Sequence, residues 1–354
     1  MSTAQDHVRP EIAALAAYHV ADARGLVKLD AMENPFPLPE ALRAELGQRL
    51  AAAALNRYPD PHGGELPQRL RAAFAIPDAA ALLLGNGSDE IITLVCQALA
   101  RPGATLLAAE PSFVMYRMNA VFSRLNYVGV PLRPDFSLDT PAMLAAIDAH
   151  RPAVVFLAYP NNPTGPRFAR DEVKAVLDAA PGLVVVDEAY TAFAEDSFMD
   201  LAGTHPRLLV MRTLSKLGLA GIRLGYAAGP ADWIAELDKV RPPYNVNVLT
   251  QAAALFALDH LAVFEAQAAV LRQERARLHA ALAALPGVTA FASEANFVLA
   301  RLPDAPRAFA ALKAAGVLIK SLHGGHPLLN HCLRFTVGTP AENDRVIAAL
   351  PDCL

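Results

Sequence analysis

Two apolar runs, residues 154–158 and 183–186, limit most severely the fold this chain can adopt. Neither alternates polar with apolar positions, so a strand made from either has no wet face. Strands buried on both faces belong to parallel sheets covered by helices on each side. The neighbouring sequence has matching grammar, with further strands expected at 82–84, 105–109, 126–130, 208–211 and 224–228. Helices fall between them: one carrying the stripe Ile91, Ile92, Val95, Cys96 and Leu99, then 113–121 and 141–149. This alternation predicts an α/β fold, a three-layer large domain with a mostly parallel sheet over residues 31–245.

The flanking segments read differently. Residues 1–30 carry one short helix at 11–17 and form an N-terminal arm expected to pack with a smaller domain. Residues 33–39 hold three prolines and read as a loop, followed by a helix at 40–54 and a second loop at 56–64. After Pro242-Pro243 a helical stretch runs from 250 to 285 with a break near His260. A strand at 296–302, a helix at 308–315, strands at 317–320 and 333–337 and a helix at 341–350 complete a smaller α+β domain, residues 246–354.

Bulk properties exclude several functions. Of 354 residues, 54% are hydrophobic, enough for a large core, and a formal charge of −4 makes no case for nucleic acid or an anionic membrane. The three cysteines include no CxxC pair, which points to a reducing compartment. Asp6, Arg9 and Glu11 stand where a leader needs an apolar core, and no apolar run approaches ~18 residues, so the expectation is cytoplasmic. His323, His326 and His331 flank Gly324-Gly325 with only Cys332 at a metal-site spacing; this reads as a loop beside the site, with no metal.

Four features fall at the carboxyl ends of the expected strands, where open α/β sheets bind ligands. Gly87-Ser88-Asp89 opens a helix, an anion site or an ordinary N-cap. Asn162 stands in Tyr159-Pro160-Asn161-Asn162-Pro163-Thr164-Gly165, a site or a plain turn. Asp187 ends a fully apolar strand and needs a cationic partner unless it caps a helix; Tyr190 follows it by three positions. Ser215, Lys216 and Arg223 follow the strand at 208–211, where a surface lysine is the plain alternative. The conjunction in this order matches the needs of pyridoxal 5'-phosphate. Lys216 would bond its aldehyde, Asp187 would keep its ring nitrogen protonated, and Asn162 and Tyr190 would meet its phenolic oxygen. Ser88, the Asp89 backbone N–H, Ser215 and Arg223 would hold its phosphate. Arg334 stands at a position that leaves the apolar face of its strand, and its guanidinium fork suits a carboxylate or phosphate.

The motifs NNPTG, DEAY and SK…R resemble the fold-type-I pyridoxal-phosphate aminotransferases from Tyr18 to the final helix. Within that group the chain is most similar to the histidinol-phosphate aminotransferase family, through Glu33-Asn34-Pro35, Arg57-Tyr58-Pro59, Gly87-Ser88-Asp89-Glu90 and Arg334-Phe335-Thr336-Val337-Gly338-Thr339. The resemblance implies transamination between histidinol phosphate and 2-oxoglutarate, giving imidazole-acetol phosphate and glutamate, with Lys216, Asp187 and Tyr190 catalytic. It puts the ring-stacking aromatic at Phe113, where tyrosine is common, and the substrate contacts at Tyr18, Asn34, Lys320 and Arg334. It further implies a homodimer in which Tyr58 reaches the cofactor phosphate of the neighbouring subunit. Two departures stand out: seven positions separate Lys216 from Arg223 where many relatives have eight, and Lys320 replaces a common arginine. An aromatic-amino-acid aminotransferase and a threonine-phosphate decarboxylase are the rivals on the same scaffold; a regulator that keeps the cofactor only as a ligand is the rival of another kind.

Overall fold

The apolar strands find a partner on each face. In the computed structural model, which describes residues 2–17 and 20–353, they form one seven-stranded sheet. Its order is Ala81–Gly85, Gly225–Gly229, Leu208–Thr213, Leu183–Asp187, Val154–Ala158, Thr105–Glu110, Asn126–Pro131. Gly225–Gly229 runs antiparallel to both neighbours, and every other pairing is parallel. Alternate residues serve opposite layers, as the pleat requires. Val184 and Val186 join one apolar cluster with Val155 and Leu157, whereas Leu183 and Val185 join a second with Val154 and Phe156.

Helices Thr140–His150 and Arg170–Ala179 cover the first cluster with Met143, Ile147, Val173, Val176 and Leu177. Helices Ser88–Leu99 and Val114–Phe122 cover the second with Ile91, Ile92, Val95, Tyr116 and Ala120. Each such aliphatic side chain contributes roughly 2 kcal/mol by leaving water. The result is the three-layer α/β arrangement. Three helices the sequence reading lacked also appear, Arg170–Ala179, Leu66–Ala73 and Ala231–Asp238. The second carries Pro67 in its first turn, where a missing N–H is harmless, and buries Leu66 and Leu70 on one face.

A second sheet is antiparallel throughout: Lys320–Ser321, Cys332–Thr336, Phe297–Arg301, Thr289–Ala290. Its core takes Phe297, Leu333 and Phe335 from the strands and Leu271, Leu278 and Leu282 from helix Leu261–Ala283. The strand expected at 317–320 divides. Val317–Leu318 pairs in parallel with Val27–Lys28 of the N-terminal segment, and Lys320–Ser321 joins the second sheet. Lys320–Ser321 continues the extended apolar run of Val317, Leu318 and Ile319 without a turn residue between them, so one stretch conceals two partners. The break near His260 is present, between helices Val248–Asp259 and Leu261–Ala283, which bend by 76°. Among the described residues no single helix is long and apolar enough to cross a membrane.

Candidate active site

Sheet order decides where chemistry can gather. Strand Leu183–Asp187 lies between Val154–Ala158 and Leu208–Thr213, so the carboxyl ends of all three open on one hollow. Ser88, Asp89, Phe113, Asn162, Asp187, Tyr190, Ser215, Lys216 and Arg223 line it together, joined by Met32, Ala158 and Thr213. These nine expected residues come from five separate chain segments.

Asp187 ends its strand inside the layer and is buried. Tyr116 Oη donates to its Oδ2 at 2.6 Å and the Ala189 N–H donates to Oδ1 at 3.0 Å. Burial pushes the carboxyl up to about 6, against these two donors, which pull it down; the charges of Asp89 and Glu188 add to the rise. Among the described residues no cation pairs with it. A buried carboxylate held by two neutral donors is an open demand for a cationic ligand. The neighbouring Glu188 has no such demand: it pairs with buried Arg212 at 2.8 Å and accepts from Ser197 and the Phe198 N–H.

Lys216 leaves strand Leu208–Thr213 on a tight helical turn, Ser215–Leu219. Gly218 closes that turn at φ 135°, and a Cβ there would lie 2.9 Å from Asn34 Nδ2. Asn34 itself donates from Nδ2 to Leu217 O and to Gln267 Oε1, both at 3.0 Å, and accepts from the Phe36 N–H. Its amide therefore holds the lysine turn. Lys216 Nζ donates to Ala31 O at 3.3 Å and lies 5.9 Å from the Tyr190 ring centre. Burial brings its pKa down to about 8, with the Arg334 charge acting in the same direction. The amine is therefore substantially neutral near pH 8 and able to attack a carbonyl.

The anion cradle lies a few residues away. Helix Ser88–Leu99 opens after Gly87 at φ 81°, where a Cβ would stand 2.8 Å from Arg223 Nη2. Arg223 reaches Ser215 Oγ at 3.3 Å and Asp89 Oδ2 at 3.1 Å. The seven-position spacing from Lys216 thus still closes on Ser215, because Arg223 takes a left-handed backbone at φ 53°. Asp89 contributes its carboxylate as well as the expected N–H, orienting the guanidinium. A free helix start, a serine hydroxyl and an arginine suit a phosphate dianion.

Arg334 stands above the pocket, buried, and donates to Asn162 Oδ1 at 2.7 Å and to Asp30 O at 2.9 Å. Lys320 is its direct partner on the adjacent antiparallel strand, so the two cations share one face. Phe113 meets the pocket at the start of helix Val114–Phe122, edge-on to Tyr116 with ring centres 5.7 Å apart. Tyr190 packs edge-on to Phe297 at 5.4 Å. Tyr58 is not brought to this pocket: it is 80% exposed and stacked on Tyr244 at 4.5 Å. Tyr18 lies outside the described residues. The His323 and His331 rings stand 4.8 Å apart, and the His323 ring accepts from the His331 N–H. Sequence reasoning missed Tyr116, Thr213 and Met32; none carries a pattern that distinguishes it from a core residue before the strands are assembled.

These residues fit pyridoxal phosphate, with a cation-seeking carboxylate, a desolvated amine and an anion cradle on one hollow. Comparison with known proteins agrees. The profile of "Aminotransferase class I and II" matches residues 24–350, and the chain belongs to that family, whose members depend on pyridoxal phosphate. Histidinol-phosphate aminotransferase of Chromobacterium violaceum is 71% identical over 348 residues, covering 98% of each chain. Histidinol-phosphate aminotransferase 1 of Burkholderia lata is 55% identical over 351 residues, covering 99% of this chain and 98% of the relative. Within the class, this chain is a member of the histidinol-phosphate aminotransferase family. The crystal structure of the Sinorhizobium meliloti histidinol-phosphate aminotransferase in complex with pyridoxal-5'-phosphate superposes with a TM-score of 0.87. It covers 98% of this chain and 97% of that one, and at 24% identity it speaks to the fold alone.

Proposed function

We propose that the protein transfers the amino group between L-histidinol phosphate and 2-oxoglutarate, yielding imidazole-acetol phosphate and L-glutamate, as a step of histidine biosynthesis. The observation that carries the reading is the presence, in one hollow, of the half-buried Lys216, its amine lowered to about 8, and the buried Asp187 carboxylate that lacks a cation. Bound there, pyridoxal phosphate supplies an aldehyde for covalent attachment and a ring that withdraws electrons.

The chain's own residues do the rest. Asp187 holds a proton at the ring nitrogen. Phe113 would stack on the ring, and Asn162 and Tyr190 would meet its phenolic oxygen. Ser88, the Asp89 N–H, Ser215 and Arg223 hold the phosphate. Lys216 Nζ takes the proton from the substrate Cα and returns it on the other side of the transfer, which is general base and acid work suited to an amine titrating near 8. One donor leaves before the acceptor enters, so the kinetics are ping-pong. Arg334 receives the carboxylate of glutamate and the phosphate of histidinol phosphate in turn, with Lys320 beside it.

The active unit is a homodimer in the cytoplasm. Supporting the dimer, Tyr58 and Leu55 are exposed apolar residues far from a complete partner set, as expected of a surface that meets a second copy. Tyr58 then reaches the neighbouring cradle, and Tyr18 and Asn34 belong to the substrate side, Asn34 by fixing the lysine turn. Supporting a reducing compartment, Cys96, Cys332 and Cys353 are buried and form no disulfide among the described residues.

An assay of amino donors with 2-oxoglutarate tests the reading. Histidinol phosphate should exceed phenylalanine in kcat/KM by about 100-fold, or ~2.7 kcal/mol of transition-state discrimination. Equal turnover of phenylalanine would move the assignment to an aromatic aminotransferase, and carbon dioxide released from threonine phosphate would move it to a decarboxylase.

A further inference from the structure

Tyr116 lies three residues past Phe113 in helix Val114–Phe122, and its side chain is wholly buried. Its ring stacks on Phe156, with centres 4.7 Å apart, and receives the edge of Phe113. Clamped in this way, the hydroxyl has one direction to point, and it donates to Asp187 Oδ2 at 2.6 Å. The Ala189 N–H fixes the other oxygen at 3.0 Å. A phenylalanine would fill the same space between two aromatic rings. The hydroxyl is therefore an added polar group in an apolar layer, stable there only because it meets the carboxylate.

We propose that Tyr116 is a positioning residue for Asp187: its hydroxyl fixes the carboxylate toward the pocket and keeps it ionised, so that an incoming pyridine ring meets a preset negative charge. This rests on the reading of the pocket as the pyridoxal phosphate site. The phenol itself does not titrate in the working range, because burial and the Asp187 charge hold its pKa well above the usual value. A hydrogen bond to the charged form of a carboxylate opposes the rise that burial imposes.

Other groups facing Asp187 bear on its charge. Asp89, at the head of helix Ser88–Leu99, and Glu188, next along the chain, both favour protonation. Arg212 offsets Glu188, and Lys216, Arg223 and Tyr190 line the same hollow. Removing the Tyr116 hydroxyl leaves burial and two carboxylates opposed by little more than the Ala189 N–H. The proton affinity of Asp187 should then rise about tenfold.

Cofactor-free enzyme, wild type and Tyr116→Phe, is titrated with pyridoxal phosphate between pH 5.5 and 8.5. The cofactor's own ionisation is common to both proteins and cancels in the ratio of their dissociation constants. With Asp187 titrating at about 6 in the wild type, the ratio should grow about eightfold from the top of that range to the bottom. A ratio that is constant across pH, whatever its size, overturns the proposal, because a packing role weakens binding equally at every pH. A collapsed melting temperature for Tyr116→Phe would overturn it too, by making the hydroxyl structural. Tyr127→Phe removes another half-buried hydroxyl, one bonded to Glu110 at 2.9 Å and away from Asp187, and should give a flat ratio. If the wild type fails to bind pyridoxal phosphate, the reading of the pocket fails instead, which is a distinct result.

Discussion

Replacing Arg334 by glutamine tests whether one arginine serves two different substrate anions. Glutamate presents an α-carboxylate, whereas histidinol phosphate has none and carries a phosphate ester, so a shared site has to accept both. Arg334 is buried, with one nitrogen on Asn162 and another on the Asp30 carbonyl. Losing a desolvated charge that faces an anion costs about 3 kcal/mol, which is roughly 150-fold in kcat/KM. Two acceptors also lose a donor, at about 1 kcal/mol each, so the melting temperature should fall by only a few degrees. Steady-state kinetics with each substrate varied in turn, beside a melting curve, separate the two effects. Arg334→Lys keeps the charge without the fork and should fall between wild type and glutamine. The expected signature is a parallel loss for glutamate and histidinol phosphate. A variant that loses one substrate and handles the other normally refutes the shared-arginine argument.

Further outcomes follow from the same geometry. Lys216→Met should abolish covalent cofactor attachment, seen as loss of the bound cofactor's visible absorbance, and abolish turnover. The same variant should stabilise the cofactor-free enzyme at pH 7: lowering a lysine from 10.5 to about 8 in the fold costs roughly 3 kcal/mol below pH 8. The unfolded chain binds the extra proton between pH 8 and 10.5, so wild-type stability should climb through that window and the gap to the variant should close. Denaturant melts at pH 7 and 10.5 check this, and an equal gap at both would refute it. Asp187→Asn should leave the cofactor bound and slow turnover by more than about tenfold, a barrier change of ~1.4 kcal/mol; a smaller loss removes the aspartate from the chemistry. Mixing inactive Tyr58→Ala subunits with inactive Lys216→Ala subunits should restore part of the activity once exchange is verified, because one hybrid site is then whole, and no recovery argues against a shared site.

The legible and the illegible parts of this chain divide along one physical line. Signals carried by local periodicity were readable: two-face-buried strands at 154–158 and 183–186, the stripe on helix Ser88–Leu99, the break at His260. So were side chains whose chemistry is costly to bury, since Asp187 and Lys216 have no cheap reason to end an apolar strand or follow one. What stayed hidden depends on which elements meet. Tyr116 reads as one more residue of an apolar helix until the sheet order brings Asp187 to it, 71 positions along the chain. The partners of Asn34, Gln267 from the long helix and Leu217 O from the lysine turn, are likewise visible only once the elements meet. The run at 317–320 reads as one strand because hydropathy does not record that its two halves face different sheets.

That division explains how the site is built. The residues expected to meet the ligand line the hollow from strand ends and helix starts, positions fixed by backbone pairing across a rigid sheet. The residues that tune them, Tyr116 under Asp187 and Asn34 under the lysine turn, come from other segments and use neutral hydrogen bonds. Neutral partners are the appropriate choice here. A lysine or arginine in the place of Tyr116 would neutralise Asp187 and remove the attraction that a protonated ring nitrogen needs. A carboxylate in the place of Asn34 would favour the charged form of Lys216 and return its pKa toward 10.5. The pocket thus keeps an unpaired charge at Asp187 and a reluctant one at Lys216 by surrounding both with groups that hold position without supplying charge.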